Sequence, residues 1–299
     1  MIENKNDFTV IVEVENANPN GDPLNGNRPR QDSEDYGIIS AECIKRKIRN
    51  VMQIMGHDIF VQMQSRTEDG ATSLKERVKG NKDLEKAEKK NDEKLFRKTA
   101  CEKWLDVRTF GQVFAFSNTI STGITGPVTI QIGKSVLPVE VTEMQITKSV
   151  NGEPTKKTAK KDSEKKTSET AETDAGKSGM SSDRMGSRAY VEHGLYVIRG
   201  SVNPYLAEKT GFDEKDLEVI KECVKNLFLG DASASRPEGS VNVRKVIWWT
   251  HPGKTASVST KKVFDSVHIE PKTETPKSYE DYDITVEELP NIKTEIVDM

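Results

Sequence analysis

The residues best suited to chemistry in this chain are cations. Lys45, Arg46 and Arg49 fall within Cys43-Ile-Lys-Arg-Lys-Ile-Arg49, and on a helix they lie roughly 100–200° round the wheel from Ile44. Cations arranged this way pair with backbone phosphates, an attraction that is electrostatic and independent of sequence. An amphipathic helix also carries such a face merely for solvation. Arg28 and Arg30 on the loop leading into the helix tip the balance, because loop and helix start then present one positive stripe. Arg108-Thr-Phe110-Gly111 sets a cation and an aromatic ring beside a glycine, a pairing that can hold a phosphate and stack a base. Taken alone, it reads as a strand edge with one buried Phe. Met185-Gly-Ser-Arg188 offers an apolar wedge and a cation where a plain turn would also fit. Trp248 and Trp249 are consecutive in a strand, so one is expected to face the core and the other not, both as structural residues.

Catalytic templates do not appear. The sequence has no G-x-x-x-x-G-K-[ST] loop, no G-x-S-x-G elbow, no H-E-x-x-H and no dinucleotide glycine fingerprint. Asp22, Asp32, Glu34 and Asp35 in the first loop have the chemistry of hard-cation ligands. Asp and Asn are equally the ordinary residues of turns, and that reading outweighs the metal one. Four histidines (His57, His193, His251, His268) show no ligand spacing, and the three cysteines (Cys43, Cys101, Cys223) lie outside any C-x-x-C. No metal or other cofactor is expected. The cysteine usage and the charged, h-region-free start MIENKNDF fit a reducing cytoplasm rather than secretion.

The elements that must position these residues follow from periodicity. Phe8, Val10, Val12 and Val14 alternate in a half-buried strand. Turn residues fill Asn16 to Ile39, a loop long enough to be functional or disordered. Ser40 caps a helix to about Met55 with Gly56 as its stop, and Ile44, Ile48, Val51, Met52 and Met55 form its apolar stripe. Residues 72–105 read as charge-laced helix ending on Trp104 and Leu105. Strands are expected at Val107–Phe116, around Val128, Ile130 and Ile132, and at Val139–Ile146. Residues 151–183 contain no aromatic or β-branched aliphatic side chain and are expected to be disordered. A strand at Leu195–Val202 precedes a short helix ending near Gly211. A second helix runs from an Asp213 cap to about Gly230, and a strand spans Val241–Thr250. This order is an α+β pattern compatible with a ferredoxin-like, RRM-type sheet carrying insertions.

Of the 299 residues 31% are charged and 34% apolar, with 45 Lys and Arg against 48 Asp and Glu. So low an apolar share implies one large domain plus solvated insertions. No run of about 18 apolar residues exists, so no membrane-spanning helix is expected. Residues 270–299 hold nine acids and three basic residues, leaving a body of net charge +3 ahead of an acidic hairpin around Pro290-Asn291, or a frayed tail. Such a body permits a nucleic-acid partner.

These residues together resemble a known family. Asn18-Pro-Asn-Gly-Asp-Pro23, Arg28-Pro-Arg30-x-Asp32, the Cys43–Arg49 helix and Asp106-Val-Arg-Thr-Phe-Gly111 are similar to the Cas-seven family of CRISPR-associated proteins. Gly194-Leu-Tyr196, Asn203-Pro204, Thr210-Gly-Phe212 and Asp216-Leu217 point to its type I-C branch. The resemblance implies a RAMP-type, RRM-like palm over 1–269, a helical insertion at 56–106, and a thumb hairpin at 146–192. It also implies a non-catalytic subunit that polymerises along CRISPR guide RNA as the backbone of a Cascade complex. Its partners would be target DNA, further copies of itself and other Cascade subunits at the filament ends. Carried onto this sequence, it places Lys45, Arg46 and Arg49 on guide phosphates, Arg28 and Arg30 near the same path, and Arg108 and Phe110 near a splayed nucleotide. Met185 and Arg188 would sit at the thumb base, and Arg236 would face RNA or a neighbouring copy. Ser187 stands where relatives carry a basic residue, and Gly230–Gly239 retains only one arginine. Type III relatives cleave RNA with an aspartate after the first strand; Asn25-Gly-Asn27 supplies none, so no nuclease activity is expected. The alternatives are a metal-dependent ribonuclease using Asp22, Asp32 or Asp35, and a protein-only scaffold.

Overall fold

A computed structural model describes residues 1–115, 120–147 and 185–299, Thr147 and Met185 by their backbone alone. The expected disordered stretch at 151–183 and most of the expected thumb lie outside the described residues. The chain begins with β1 (Asn6–Ala17), two short bridging strands β2 (Gly21–Asp22) and β3 (Arg28–Pro29), and β4 (Tyr36–Ile39). Helix α1 (Ala41–Ile54) follows, then α2 (Leu74–Lys79), α3 (Lys82–Lys89), α4 (Glu93–Lys103) and α5 (Leu105–Phe110). Next come β5 (Gly111–Phe114), β6 (Thr122–Thr125), β7 (Val128–Ile130), β8 (Gly133–Pro138), β9 (Val141–Thr147) and the long β10 (Met185–Val202). The remainder is α6 (Pro204–Thr210), α7 (Glu214–Lys225), β11 (Val241–Thr250), α8 (Thr260–Asp265), β12 (Val267–Pro271), β13 (Tyr282–Val286) and β14 (Lys293–Asp298). The architecture is mixed α and β.

The main sheet runs β14-β11-β1-β10-β8-β4, with β7 and β9 also paired to β10. Its pairings are antiparallel. β1 is central, and its residues are buried on both faces. Phe8, Val10, Val12 and Val14 pack with Ile44, Ile48, Val51 and Met52 of α1 and with Leu217, Ile220 and Val224 of α7. Ile11 joins Leu195, Ile247 and Trp249 on the other face, under Val263 and Phe264 of α8, Tyr282 and Leu289.

That second cover corrects the tryptophan expectation. Trp248 stacks on Phe8 with ring centroids 4.9 Å apart, Trp249 is fully buried on the opposite side, and both faces of β11 are core. The C-terminal residues are neither a frayed tail nor a hairpin about Pro290-Asn291. The chain turns there, with Asn291 at φ 61°, but β13 pairs with β12 and β14 with β11.

Two helical expectations also change. The 72–105 stretch is three helices, capped by Ser73, Asn81 and Asp92 side chains. These helices pack Val78, Leu84, Phe96 and Ala100 with Phe60 and Phe114 in a separate small core. Helix α5 takes in residues 107–110, expected as the start of a strand, and the strand begins only at Gly111. A short apolar run does not distinguish the two periods. Gly111, at φ 80°, ends the helix in a backbone region that disfavours other residues.

Candidate nucleic-acid interface

Helix α1 presents the central cations. Ser40 Oγ accepts from Cys43 N at 3.2 Å and fixes the first turn, and burial of Ile44 and Ile48 turns Lys45, Arg46 and Arg49 away from the sheet. Those three cations are not equivalent. Arg49 Nε donates to Asp106 Oδ2 at 2.8 Å. Asp106 is fully buried and also accepts from the backbone N–H groups of Phe60 at 2.6 Å and Val61 at 3.1 Å. Arg46 Nη1 donates to the Val61 carbonyl at 2.7 Å. Burial, then the neighbouring Arg49 charge, lowers the Arg46 pKa from its ordinary value, while Asp106 raises it. Lys45 makes no ion pair among the described residues; its Nζ lies 5.7 Å from the centroid of the Phe110 ring, with the Arg49 guanidinium 5.1 Å from the same ring. Cations over an aromatic face are mutually stabilised with it.

The remaining nominated cations divide the same way. Arg28 pairs with Glu143 at 2.5 Å on the surface, and Arg30 meets Asp22 at 3.4 Å, half-buried. Arg108 grips Asp216 through Nε and Nη2, both at 2.8 Å, and donates to the Cys101 carbonyl at 3.1 Å. Asp216 is the third residue of α7 and part of its capping box with Asp213, so Arg108 joins α5 to the start of α7. Arg236 pairs with Asp231 at 2.9 Å and donates to the Asn18 carbonyl at 3.1 Å. Buried Lys47 holds the same Asp231; burial lowers its pKa and the bond to Asp231 raises it again. Arg188, on β10 opposite Met144 of β9, is half-buried and has no ion pair among the described residues. Met185 is described only by its backbone, paired with Thr147.

The positive stripe is therefore partly neutralised from within. Among the described residues Lys45 and Arg188 have no counter-charge, and Arg46 gives up only one donor to a neutral carbonyl. Exposed pairs such as Arg28–Glu143 are weak enough to exchange for a phosphate. Arg49, Arg108, Lys47 and Arg236 instead hold the fold. Of their carboxylate partners, Asp106 and Asp216 stood in the sequence only as members of family motifs, with no pairing implied, and Asp231 carried no signal.

The acids of the first loop are occupied in turns. Asp32 Oδ1 accepts from Glu34 N and Tyr36 N, both at 3.0 Å, while Oδ2 meets Lys134 at 2.7 Å. The Lys134 hydrogen bond leads in lowering its pKa. Asp22 accepts from Leu24 N at 3.2 Å and faces Arg30, and Asp35 occupies a left-handed turn position at φ 63°.

The profile of the family described as CRISPR-associated protein Cas7 matches residues 4–287, nearly the whole chain. The chain belongs to the Cas7 family. A Cas7 protein of Haloferax volcanii, described as CRISPR-associated protein Cas7, is 27% identical over 157 residues, which are 47% of this chain and 45% of that protein. The chain thus matches about half the length of this Cas7 relative. Two solved structures align over more of it. One is a chain of a CRISPR RNA-guided surveillance complex, pre-nicking, at TM-score 0.49 and 14% identity, over 87% of this chain and 81% of that one. Another, from a CRISPR RNA-guided surveillance complex, has TM-score 0.42 and 17% identity over 82% and 68%. Among the described residues of this Cas7-family chain, no helix is long and apolar enough to cross a membrane.

Proposed function

We propose that this Cas7-family chain is a non-catalytic, guide-RNA-binding backbone subunit of a type I Cascade complex, most like type I-C. It polymerises along CRISPR RNA and presents it for pairing with target DNA, alongside other Cascade subunits, in the cytoplasm. Base pairing would read sequence while the protein reads backbone and shape.

The observation that carries this reading is the uncompensated charge of Lys45 beside the Phe110 ring, on a helix whose register is fixed by the core. Phosphate on the cation and a base near the ring is the pairing that binds single strands without sequence preference. Arg46, Arg28 and Arg30 extend the path, and Arg188 marks the base of a thumb over 146–192. The palm, 1–269 with a helical insertion at 56–106, is RRM-like. This is supported by the order β11-β1-β10-β8, with α1 after the first of these strands in the chain and α7 before the last. The ribonuclease alternative gains nothing from Asp22 and Asp32, whose carboxylates are held by turn N–H groups and cations.

The test is co-expression with a CRISPR array and partner subunits, with the small RNA in the purified assembly sequenced. Uniform repeat-derived RNA is expected, and its loss with Lys45→Glu in a chain that still folds. Charge reversal at Arg46 is less informative, because a carboxylate there would face the Val61 carbonyl. Nucleic-acid-free assemblies from the unaltered chain would overturn the reading.

A further inference from the structure

Away from α1, the opposite face of the sheet holds a histidine without a partner. His193 of β10 lies directly across from Glu15 of β1, and Glu13, two residues earlier on β1, shares that face. Both ring nitrogens of His193 are buried, and neither has a hydrogen-bond partner among the described residues. Buried polar atoms are nearly always satisfied, so two orphans on one ring call for an explanation. Glu15, half-buried beside it, has no ion pair among the described residues. Glu13 is 5% exposed; its Oε1 accepts from Tyr279 N at 2.6 Å, and its Oε2 lies 3.4 Å from Arg244 Nε. That arginine is shared with Glu280 at 2.8 Å.

One ligand atom from each of Glu13, Glu15 and His193 lies within 4.8 Å of the other two. Nearby charge is mostly negative: a cleft of about 490 Å³ is lined by His193 with Glu140, Glu192 and Glu274, against the single cation Lys277.

We propose that Glu13, Glu15 and His193 form a binding site for a divalent transition cation of the zinc class. One cation would engage one ring nitrogen of His193 and the unpaired Glu15 carboxylate together; the other ring nitrogen, carrying the proton, still has no acceptor among the described residues. An imidazole among carboxylates suits zinc and its neighbours, whereas magnesium and calcium favour all-oxygen shells. Three protein ligands leave a fourth position for water. The ion would fasten β1 and β10 to the Tyr279–Tyr282 segment, because Glu13 already holds Tyr279. This site is independent of RNA binding.

The test uses the full chain, stripped with chelator and titrated with Zn²⁺ by calorimetry, with Co²⁺ absorbance as a second probe. One equivalent is expected, accompanied by a rise in the thermal midpoint. Outer-shell substitutions at metal sites typically cost about 10–100-fold in affinity, so loss of a ligand in His193→Ala or Glu15→Gln should weaken binding at least about tenfold. His57→Ala and His268→Ala should leave it unchanged. Glu15→Gln preserves shape and decides the matter if His193→Ala unfolds, with circular dichroism confirming the fold. Absence of Zn²⁺ binding, or binding indifferent to both ligand substitutions, would overturn the proposal.

Discussion

Arg49 and Asp106, 57 residues apart, are joined at 2.8 Å, and this pair ties α1 to the first turn of α5. Asp106 also holds the N–H groups of Phe60 and Val61. Removing it in Asp106→Ala leaves a largely buried guanidinium and two backbone donors without their acceptor. Breaking one side of a buried pair costs about 3–5 kcal/mol, and chemical denaturation should show a loss of that size. An unchanged midpoint would mean that water replaces the carboxylate freely.

The same pair shows what the sequence can and cannot supply. The apolar stripe of α1 from Ile44 to Met52, its Ser40 cap, the Asp213 cap of α7 and the alternation in β1 were all legible, because each depends on neighbours within a few residues; Met55, expected in the stripe, lies beyond the helix and is exposed. Which cations would be available was not. Arg49 and Lys45 share a face of one helix, yet only Arg49 meets a carboxylate, from a residue far along the chain. Arg108 and Asp216 likewise stand 108 residues apart. Composition along the chain carries no trace of such pairings, so the positive stripe looked more open than it is. Glu13, Glu15 and His193 were hidden for the same reason: their proximity is a matter of cross-strand register, and the His193 spacing matches no local ligand pattern.

Gly111 is a second place where backbone geometry decides. It sits at φ 80°, and a Cβ there would fall inside contact distance of the Ile124 carbonyl oxygen. Gly111→Ala should therefore destabilise by more than about 1 kcal/mol. The thermal midpoint reads this directly, and a neutral result would show that the α5–β5 junction can relax.

Asp69 gives a pH dependence with a definite sign. Its hydrogen bonds to Arg77, at 2.5 and 2.9 Å, are the main cause of its lowered pKa. A carboxyl whose folded pKa lies below its unfolded value stabilises the fold above the ordinary carboxylate range. That contribution is lost as pH falls through the folded value. Asp69→Asn should thus lower the midpoint at neutral pH, by no more than about 1 kcal/mol since Asp69 is over a third exposed. The two midpoints should converge in acid. A gap that persists at low pH would assign the effect to packing.

The uncompensated cations can be separated from the paired ones by salt. Each phosphate neutralised on a single strand contributes about 0.7 to the slope of log K against log salt. Lys45→Ala and Arg188→Ala should each reduce the guide-RNA slope by about that amount, because neither charge meets a carboxylate among the described residues. Arg28→Ala should lower it less, since phosphate binding there must first break the pair with Glu143 and so releases a weaker net charge. Arg108→Ala should lower stability while leaving the slope of the folded fraction nearly unchanged, its guanidinium being clamped on Asp216. Fluorescence anisotropy over a salt series distinguishes these cases. Equal slope changes at all four positions would mean that the internal carboxylates yield to phosphate, and that the neutralisation seen in the free chain does not select its RNA contacts.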